Sequence, residues 1–267
     1  RNKQSLAVDL KSPDGQALVR ELAGRADMLV ENFRDDSLAQ YGLDYDALSA
    51  VNPGLIYVSL KGFLSGPYKS RTALDEVVQM MGGMAQINGD GQTPRRVAPS
   101  ANDILGGTFG VVGALAALND RQRTGQGCHI DASMVQASLA LMYPPACAYL
   151  SQGVVPQRVG NRGYTGSPAA DTFECRDGWL ALGANTPAHI ARLLQVLEIP
   201  AEEAAPLLEP AAPGGAAFAR ARDPEGFRAL LAARLAGRSA AELEERLNAA
   251  GVPSARVRTL REFTREA

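Results

Sequence analysis

A chain of 267 residues is long enough for one large domain or two modest ones and for a substantial buried core. Lys and Arg total 27 against 29 Asp and Glu, a net charge of -2, so no basic field argues for nucleic acid or an anionic membrane, and small molecules are the expected partners. Cys128, Cys147 and Cys175 are odd in number and lack metal-ligand spacing, and the histidines are His129 and His189 alone, so a reduced cytoplasmic setting and no metal site are expected.

The apolar stretches are interrupted by Gly, Asn or Pro short of the roughly 18 residues a membrane helix needs, and no signal peptide opens the chain, so a soluble protein is expected. Arg1-Asn-Lys-Gln begins in mid-pattern without an initiating Met, as a fragment would.

Residues 5–10 alternate as a short strand does, and Ser12-Pro-Asp-Gly15 then predicts the cap of a helix over Gln16 to Ala23. Met28 to Glu31 reads as the next buried strand. Strand, helix and strand in this order predict a βαβ unit with a parallel sheet, whose ligands gather beyond the carboxyl ends of the strands. Asn32-Phe33 and Lys61-Gly62 fall at two such ends, the second after a predicted strand over Leu55 to Leu60. Between them a helix is predicted over Leu43 to Val51, stopped by Pro53.

Thr72 to Gln79 begins a further helix that ends near Gly82-Gly83, with Asp75 and Glu76 as ordinary acids of its first turn. Asn88-Gly89-Asp90-Gly91 signals a hairpin or loop. From Asp103 onward, Ile104, Leu105, Val111, Val112, Leu115 and Leu118 recur at helical spacing. Gly106, Gly107, Gly110 and Gly113 would each weaken an isolated helix by about 1 kcal/mol relative to Ala. Their concentration here suggests that another backbone or a ligand comes close. Asp103 itself has two readings: a helix-start acid, fitting a Ser100-x-x-Asp103 capping box, or a reactive carboxylate.

Cys128 to Ala132 is predicted as a strand and Met134 to Tyr149 as an apolar helix interrupted at Pro144-Pro145. Ser151 to Pro168, rich in Gly, Pro, Gln and Arg, reads as a linker. Beyond it, Thr172-Phe-Glu-Cys, Asp177-Gly178 and Trp179-Leu-Ala-Leu predict a hairpin. Helices are predicted at Pro187 to Val196, Pro224 to Ala236 and Ala240 to Ala250, with a surface loop over Ala201 to Ala217. Val252 to Val257 reads as extended and Thr259 to Arg265 as a helix start.

Three blocks of this sequence resemble one family. The first is Asn102-Asp103, Gly106-Gly107, Gly113-Ala-Leu-Ala-Ala-Leu118, Arg123-Thr-Gly-Gln-Gly127 and Asp131-Ala-Ser-Met134. The second is Asn2-Lys3, Val8-Asp-Leu-Lys11, Val30-Glu-Asn-Phe-Arg34, Tyr41-Gly-Leu43, Asn52-Pro53 and Ser59-Leu-Lys-Gly62. The third is Gly160-Asn-Arg162 with Phe173 to Gly178. Together they are similar to the class III CoA-transferase family, also called the carnitine dehydratase and bile-acid-inducible protein F family.

The resemblance implies an α/β fold in which a large domain with a Rossmann-like parallel sheet is joined to a smaller α/β domain, and an interlocked homodimer. Its implied boundaries are 1–150 for the large CoA-binding domain, 151–170 for a linker and glycine-containing loop, 171–255 for the small domain, and 256–267 for the start of a return to the large one. Further segments before and after this chain are implied too.

Asp103 is the implied catalytic residue of a CoA transfer between an acyl-CoA and a small carboxylic acid. Val8, Lys11, Asn32, Phe33, Arg34, Lys61, Thr72 and Asp75 match CoA-contacting segments, with CoA and acyl-CoA as substrates and no tightly bound cofactor. Gln40 stands where many relatives place an Arg that touches CoA. Leu74 occupies the region where the racemase branch has a His as its second base. Two other readings are an acyl-CoA racemase or isomerase with Asp103 as base, and a non-catalytic CoA-binding subunit in which Asp103 merely caps its helix.

Overall fold

Ser12 sets the first helix: its hydroxyl accepts from the N–H of Gly15 at 3.0 Å and Pro13 pre-sets the first turn, giving α1 over Pro13–Arg25. The structure is a computed structural model and describes residues 2–89, 92–163, 165–210 and 218–266. It divides into two units, Arg1–Arg158 and Val159–Ala267.

The first unit is built on a parallel sheet of β1 (Met28–Glu31), β2 (Ile56–Lys61) and β3 (His129–Ser133), paired in that order. Alternation along the middle strand divides two cores. Leu55 and Tyr57 pack with Ala23, Leu43 and Leu48 on the side of α1 and α2 (Tyr45–Ser49), while Ile56 and Val58 meet Ala114 and Ala117 of α5 (Ala101–Thr124) on the other face. The intervening α3 (Asp75–Met81) and α4 (Met84–Ile87) precede α5, and α6 (Met134–Leu141) and α7 (Tyr143–Gln152) follow β3.

Several predicted elements change. Residues 5–10 form no strand and pair with no other strand; Leu6 is 61% exposed, while Leu10 packs against the core beside α1. Alternation specifies a strand only where one face has a core to cover, and β1 rather than this segment forms the edge of the sheet. The helix expected over Leu43 to Val51 shortens to α2. The one expected from Thr72 starts at Asp75, leaving Thr72, Ala73 and Leu74 extended in front of it. The break between α6 and α7 falls at Met142, and Pro144 lies in the first turn of α7, where its missing N–H costs nothing. Ser151 and Gln152 belong to α7 rather than to a linker. Of the turn expected at 88–91, Asp90 and Gly91 lie outside the described residues.

Contrary to the expectation that glycine and asparagine break every long apolar stretch, α5 is long and apolar enough to cross a membrane by length and composition, with a mean hydropathy of 1.4. Gly106, Gly110 and Gly113 do not end it and face its neighbours. A Cβ on Gly110 would stand 2.7 Å from Leu60 Cδ2, and one on Gly113 would stand 2.8 Å from Ile130 Cγ2. The small residues let α5 lie against β2 and β3.

In the second unit β4 (Thr172–Cys175) and β5 (Gly178–Leu182) form the expected hairpin, and β6 (Ser254–Arg256) pairs antiparallel with β5. Leu193 of α8 (Pro187–Leu197), Phe227 and Leu231 of α10 (Pro224–Leu235) and Leu243 of α11 (Ala240–Ala249) share a core with Phe173 and Leu180. Two short helices, α9 (Ala201–Ala204) and α12 (Leu260–Glu266), complete it. The loop expected over 201–217 begins as α9, and residues 211–217 lie outside the described residues. In the segment 160–168, Thr165 Oγ1 donates to Asn185 Oδ1 and Ser167 Oγ to the Ala184 carbonyl, each at 2.7 Å, while Tyr164 is not among the described residues.

Candidate active site

The carboxyl ends of the strands of the first unit open onto a cleft of about 760 Å³, a size suited to a small-molecule site. Its walls come from the chain leaving β1 (Asn32 to Ser37), the chain leaving β2 (Lys61 to Phe63), the segment 69–76 and the first turns of α5 and α6. Of the predicted site residues it gathers Asn32, Phe33, Arg34, Lys61, Thr72, Asp75 and Asp103; Val8 and Lys11 are not among its lining. Gly107 sits beside Asp103 on this wall, and a Cβ on it would meet nothing within 4 Å, so this glycine leaves open space in the cleft.

Asp103 is the third residue of α5, where a carboxylate would ordinarily fold back onto the helix's own amides. It does not do so here. Ser100 is the N-cap residue and makes no side-chain capping bond. Instead Asp75 Oδ1, from the start of α3, accepts the N–H of Asn102 at 2.7 Å and of Asp103 at 3.3 Å. Those are the two donors an N-cap side chain would take. The carboxylate of Asp103 itself makes no hydrogen bond or ion pair among the described residues and remains exposed in the cleft. Partial burial, followed by the nearby carboxylates of Asp75 and Glu76, pushes its carboxyl above the ordinary carboxylate pKa.

The structure redistributes the other predicted roles. Asp75, expected among the CoA contacts, is 4% exposed, and its second oxygen accepts from Gln79 Nε2 at 2.6 Å, so both oxygens serve protein donors. Lys61, expected among the CoA contacts, donates to Glu31 Oε1 at 2.7 Å and to the Phe33 carbonyl at 2.9 Å, while Glu31 Oε2 accepts the N–H of Phe33. The pair holds together the exits of β1 and β2. Arg34 makes no side-chain ion pair or hydrogen bond among the described residues and lines the cleft.

Sequence reasoning missed Lys69 and Arg71, which add two cations to the wall; Arg71 lies over the Tyr68 ring at 4.5 Å. Their signal was the run Tyr68-Lys69-Ser70-Arg71, basic and aromatic next to a strand exit. It also missed Gln79 and Asn102, both fully buried. Leu74 lines the cleft just ahead of Asp75. Neither histidine does: His129 Nε2 lies 2.8 Å from Ser59 Oγ in a smaller neighbouring pocket, and His189 belongs to the second unit. Among the described residues no group of His, Cys, Asp and Glu could hold a metal ion.

An exposed carboxylate without partners, flanked by a glycine-made opening, an apolar wall (Phe33, Phe63, Met134) and several cations, can act as a nucleophile toward an anionic ligand with an apolar arm. Comparison with known proteins identifies the family. The profile of CoA-transferase family III matches residues 1–267. The succinyl-CoA–D-citramalate CoA-transferase of Chloroflexus aurantiacus is 35% identical over 266 residues, covering 98% of this chain and 64% of that protein. The succinate–glutarate CoA-transferase of Agrobacterium fabrum is 40% identical over 202 residues, 74% of this chain and 50% of that protein. The chain thus spans about half to two thirds of the length of these curated relatives. A CaiB/BaiF family protein from Brucella suis superposes with a TM-score of 0.82 at 30% identity, covering 99% of this chain and 69% of the solved one. From the match along its whole length, the chain belongs to CoA-transferase family III.

Proposed function

We propose that this protein moves CoA from an acyl-CoA donor to a carboxylic acid acceptor, with Asp103 as the nucleophile. The observation that carries the proposal is the unpartnered carboxylate of Asp103 in the cleft, its helix being capped by Asp75 instead. A carboxylate needs no activating base at neutral pH, which suits a cleft without a histidine.

The Asp103 carboxylate attacks the thioester carbonyl of the donor, the C–S bond breaks, and CoA thiolate leaves a mixed anhydride behind. The thiolate then attacks the aspartyl carbonyl of the anhydride, releasing the donor acid and forming an aspartyl-CoA thioester. The acceptor carboxylate attacks that thioester and expels the thiolate. Finally the thiolate attacks the acceptor's acyl carbon and regenerates the Asp103 carboxylate. Each addition places charge on an oxygen, and a well-aimed donor to such an oxyanion contributes about 3 to 4 kcal/mol. Arg34, Lys69 and Arg71 are the cations suited to the phosphates of CoA, and Phe33 and Thr72 line the same cleft.

The relatives act, by their names, on succinate, citramalate, glutarate and oxalate or their thioesters; a small carboxylic acid is the acceptor class proposed here, and the protein is taken to work as a homodimer in the cytoplasm. A racemase would need a second base where Leu74 stands. The test is Asp103→Ala in the whole protein, assayed with succinyl-CoA or acetyl-CoA against a panel of carboxylic acids. Transfer by the parent and none by the variant supports the role. Undiminished transfer by the variant eliminates it.

A further inference from the structure

Gln79 lies one turn beyond Asp75 on α3, fully buried, and each end of its amide is engaged. Its Nε2 donates to Asp75 Oδ2 at 2.6 Å and also faces the carbonyls of Val97 and Pro99 at 3.4 Å each. Its Oε1 accepts the N–H of Val97 at 2.8 Å. One side chain therefore fastens the segment that leads into α5 and also orients the carboxylate that holds the first amides of α5.

This arrangement is non-local: the carboxylate and the amides it caps are separated by 27 and 28 positions. An acid at the third position of a helix, left to itself, bonds its own helix start, as Ser100 and Asp103 are spaced to do. Here Asp75 takes the amides that the Ser100 side chain would have capped, and so fixes the first turn of α5 in place of Ser100. We propose that Asp75 and Gln79 form a positioning pair that holds this turn and thereby aims the Asp103 carboxylate into the cleft.

The inference rests on Asp103 being the nucleophile and adds the device that fixes the turn carrying it. Asp75 and Gln79 are positioning residues, since neither needs to touch substrate. The charged groups around Asp103 are Asp75 and Glu76 on α3, Asp35 and Asp36 after β1, and the cations Arg34, Lys61, Lys69 and Arg71 of the cleft wall. Of these, Asp75 is the one whose carboxylate is hydrogen bonded to the Asp103 amide itself.

Exchanging the two functional groups tests the pair in the whole protein. Asp75→Asn sets its amide against that of Gln79, two donors facing each other, and Gln79→Glu sets two carboxylates face to face. The double variant Asp75→Asn with Gln79→Glu restores the bond between the two side chains: the carboxylate introduced at position 79 accepts from the amide introduced at position 75 and from the Val97 N–H, and only the 3.4 Å approaches to the Val97 and Pro99 carbonyls are lost. The rate of forming a hydroxylamine-sensitive adduct with acyl-CoA should fall about tenfold or more in each single variant, with KM for acyl-CoA unchanged, and recover to within about threefold in the double one.

In the double variant the negative charge stands one helical turn farther along α3. Moving a like charge away from a carboxyl lowers its pKa, so the acid limb of the rate moves to lower pH than in the parent. That displacement reports the moved charge alone; the role of the pair is read from the rate. A pair that only stabilised the fold would lower the melting temperature of the single variants and leave the adduct rate of the folded protein at the parental value. Recovery of the rate in the double variant supports the pair. Single variants at the parental rate, or a double variant no better than the singles, overturn it. Should a single variant fail to fold, the double variant decides alone: a rate within about threefold of the parent supports the pair and a loss of about tenfold overturns it. Failure here is distinct from failure of the nucleophile reading, in which Asp103→Ala would still transfer CoA.

Discussion

Lys61→Met separates two roles for one cation. The ammonium lies 2.7 Å from Glu31 Oε1, with the side chains 13% and 4% exposed, so the substitution leaves a carboxylate out of water with the Phe33 N–H as its remaining hydrogen-bond partner. At an effective dielectric of about 20 the lost attraction is of order 4 to 6 kcal/mol, most of it offset in the parent by the cost of burying both charges. Stranding one partner is the expensive change, about 3 kcal/mol in net stability. The double variant Lys61→Met with Glu31→Leu removes both charges and should recover most of that loss. Urea unfolding followed by far-UV circular dichroism reads the stabilities, and KM for acyl-CoA is measured on the same variants. If Lys61→Met left stability unchanged but raised KM tenfold, the ammonium would be serving a ligand phosphate and the account of a strand-exit clamp would be wrong.

Two further outcomes follow from the cleft. Gly107 has open space where its side chain would be, so Gly107→Ala should keep or gain stability, by up to about 1 kcal/mol from helix propensity; Gly107→Leu should fold as well yet raise KM for acyl-CoA about tenfold, and unaltered kinetics in the Leu variant would place the substrate elsewhere. Because burial and the carboxylates of Asp75 and Glu76 hold the Asp103 carboxyl above its ordinary value, and the ionised form is the one that attacks, kcat should fall as pH drops through a point above about 4. A rate flat down to pH 4 would contradict it.

The parts of the molecule legible in the sequence were those governed by local rules. The Ser12 cap, strands at 28–31 and 56–61, the hairpin at 172–182 and the glycine-bearing helix through Asp103 each follow from neighbours a few positions apart. The alternation at 5–10 misled because a strand also needs an edge to pair with. What the sequence hid was pairing across distance. Asp75 was expected as a first-turn acid of its own helix and a CoA contact, and its carboxylate caps another helix; Lys61 was expected among the CoA contacts, and Glu31 pairs with it. Both pairings were hidden for one reason: local spacing shows which polar groups exist, and only the packed fold shows which are already satisfied. The capping box of Ser100 and Asp103 is absent for a related reason: Ser100 makes no capping bond, and the amides it would take are held by Asp75, 27 and 28 positions away.

The most direct measurement is mass spectrometry of the whole protein after incubation with acyl-CoA and no acceptor. The account predicts added mass on the peptide containing Asp103, converted by hydroxylamine to the aspartyl hydroxamate and absent from Asp103→Ala. Active transfer with no adduct on Asp103, or an adduct that survives the substitution, would contradict it.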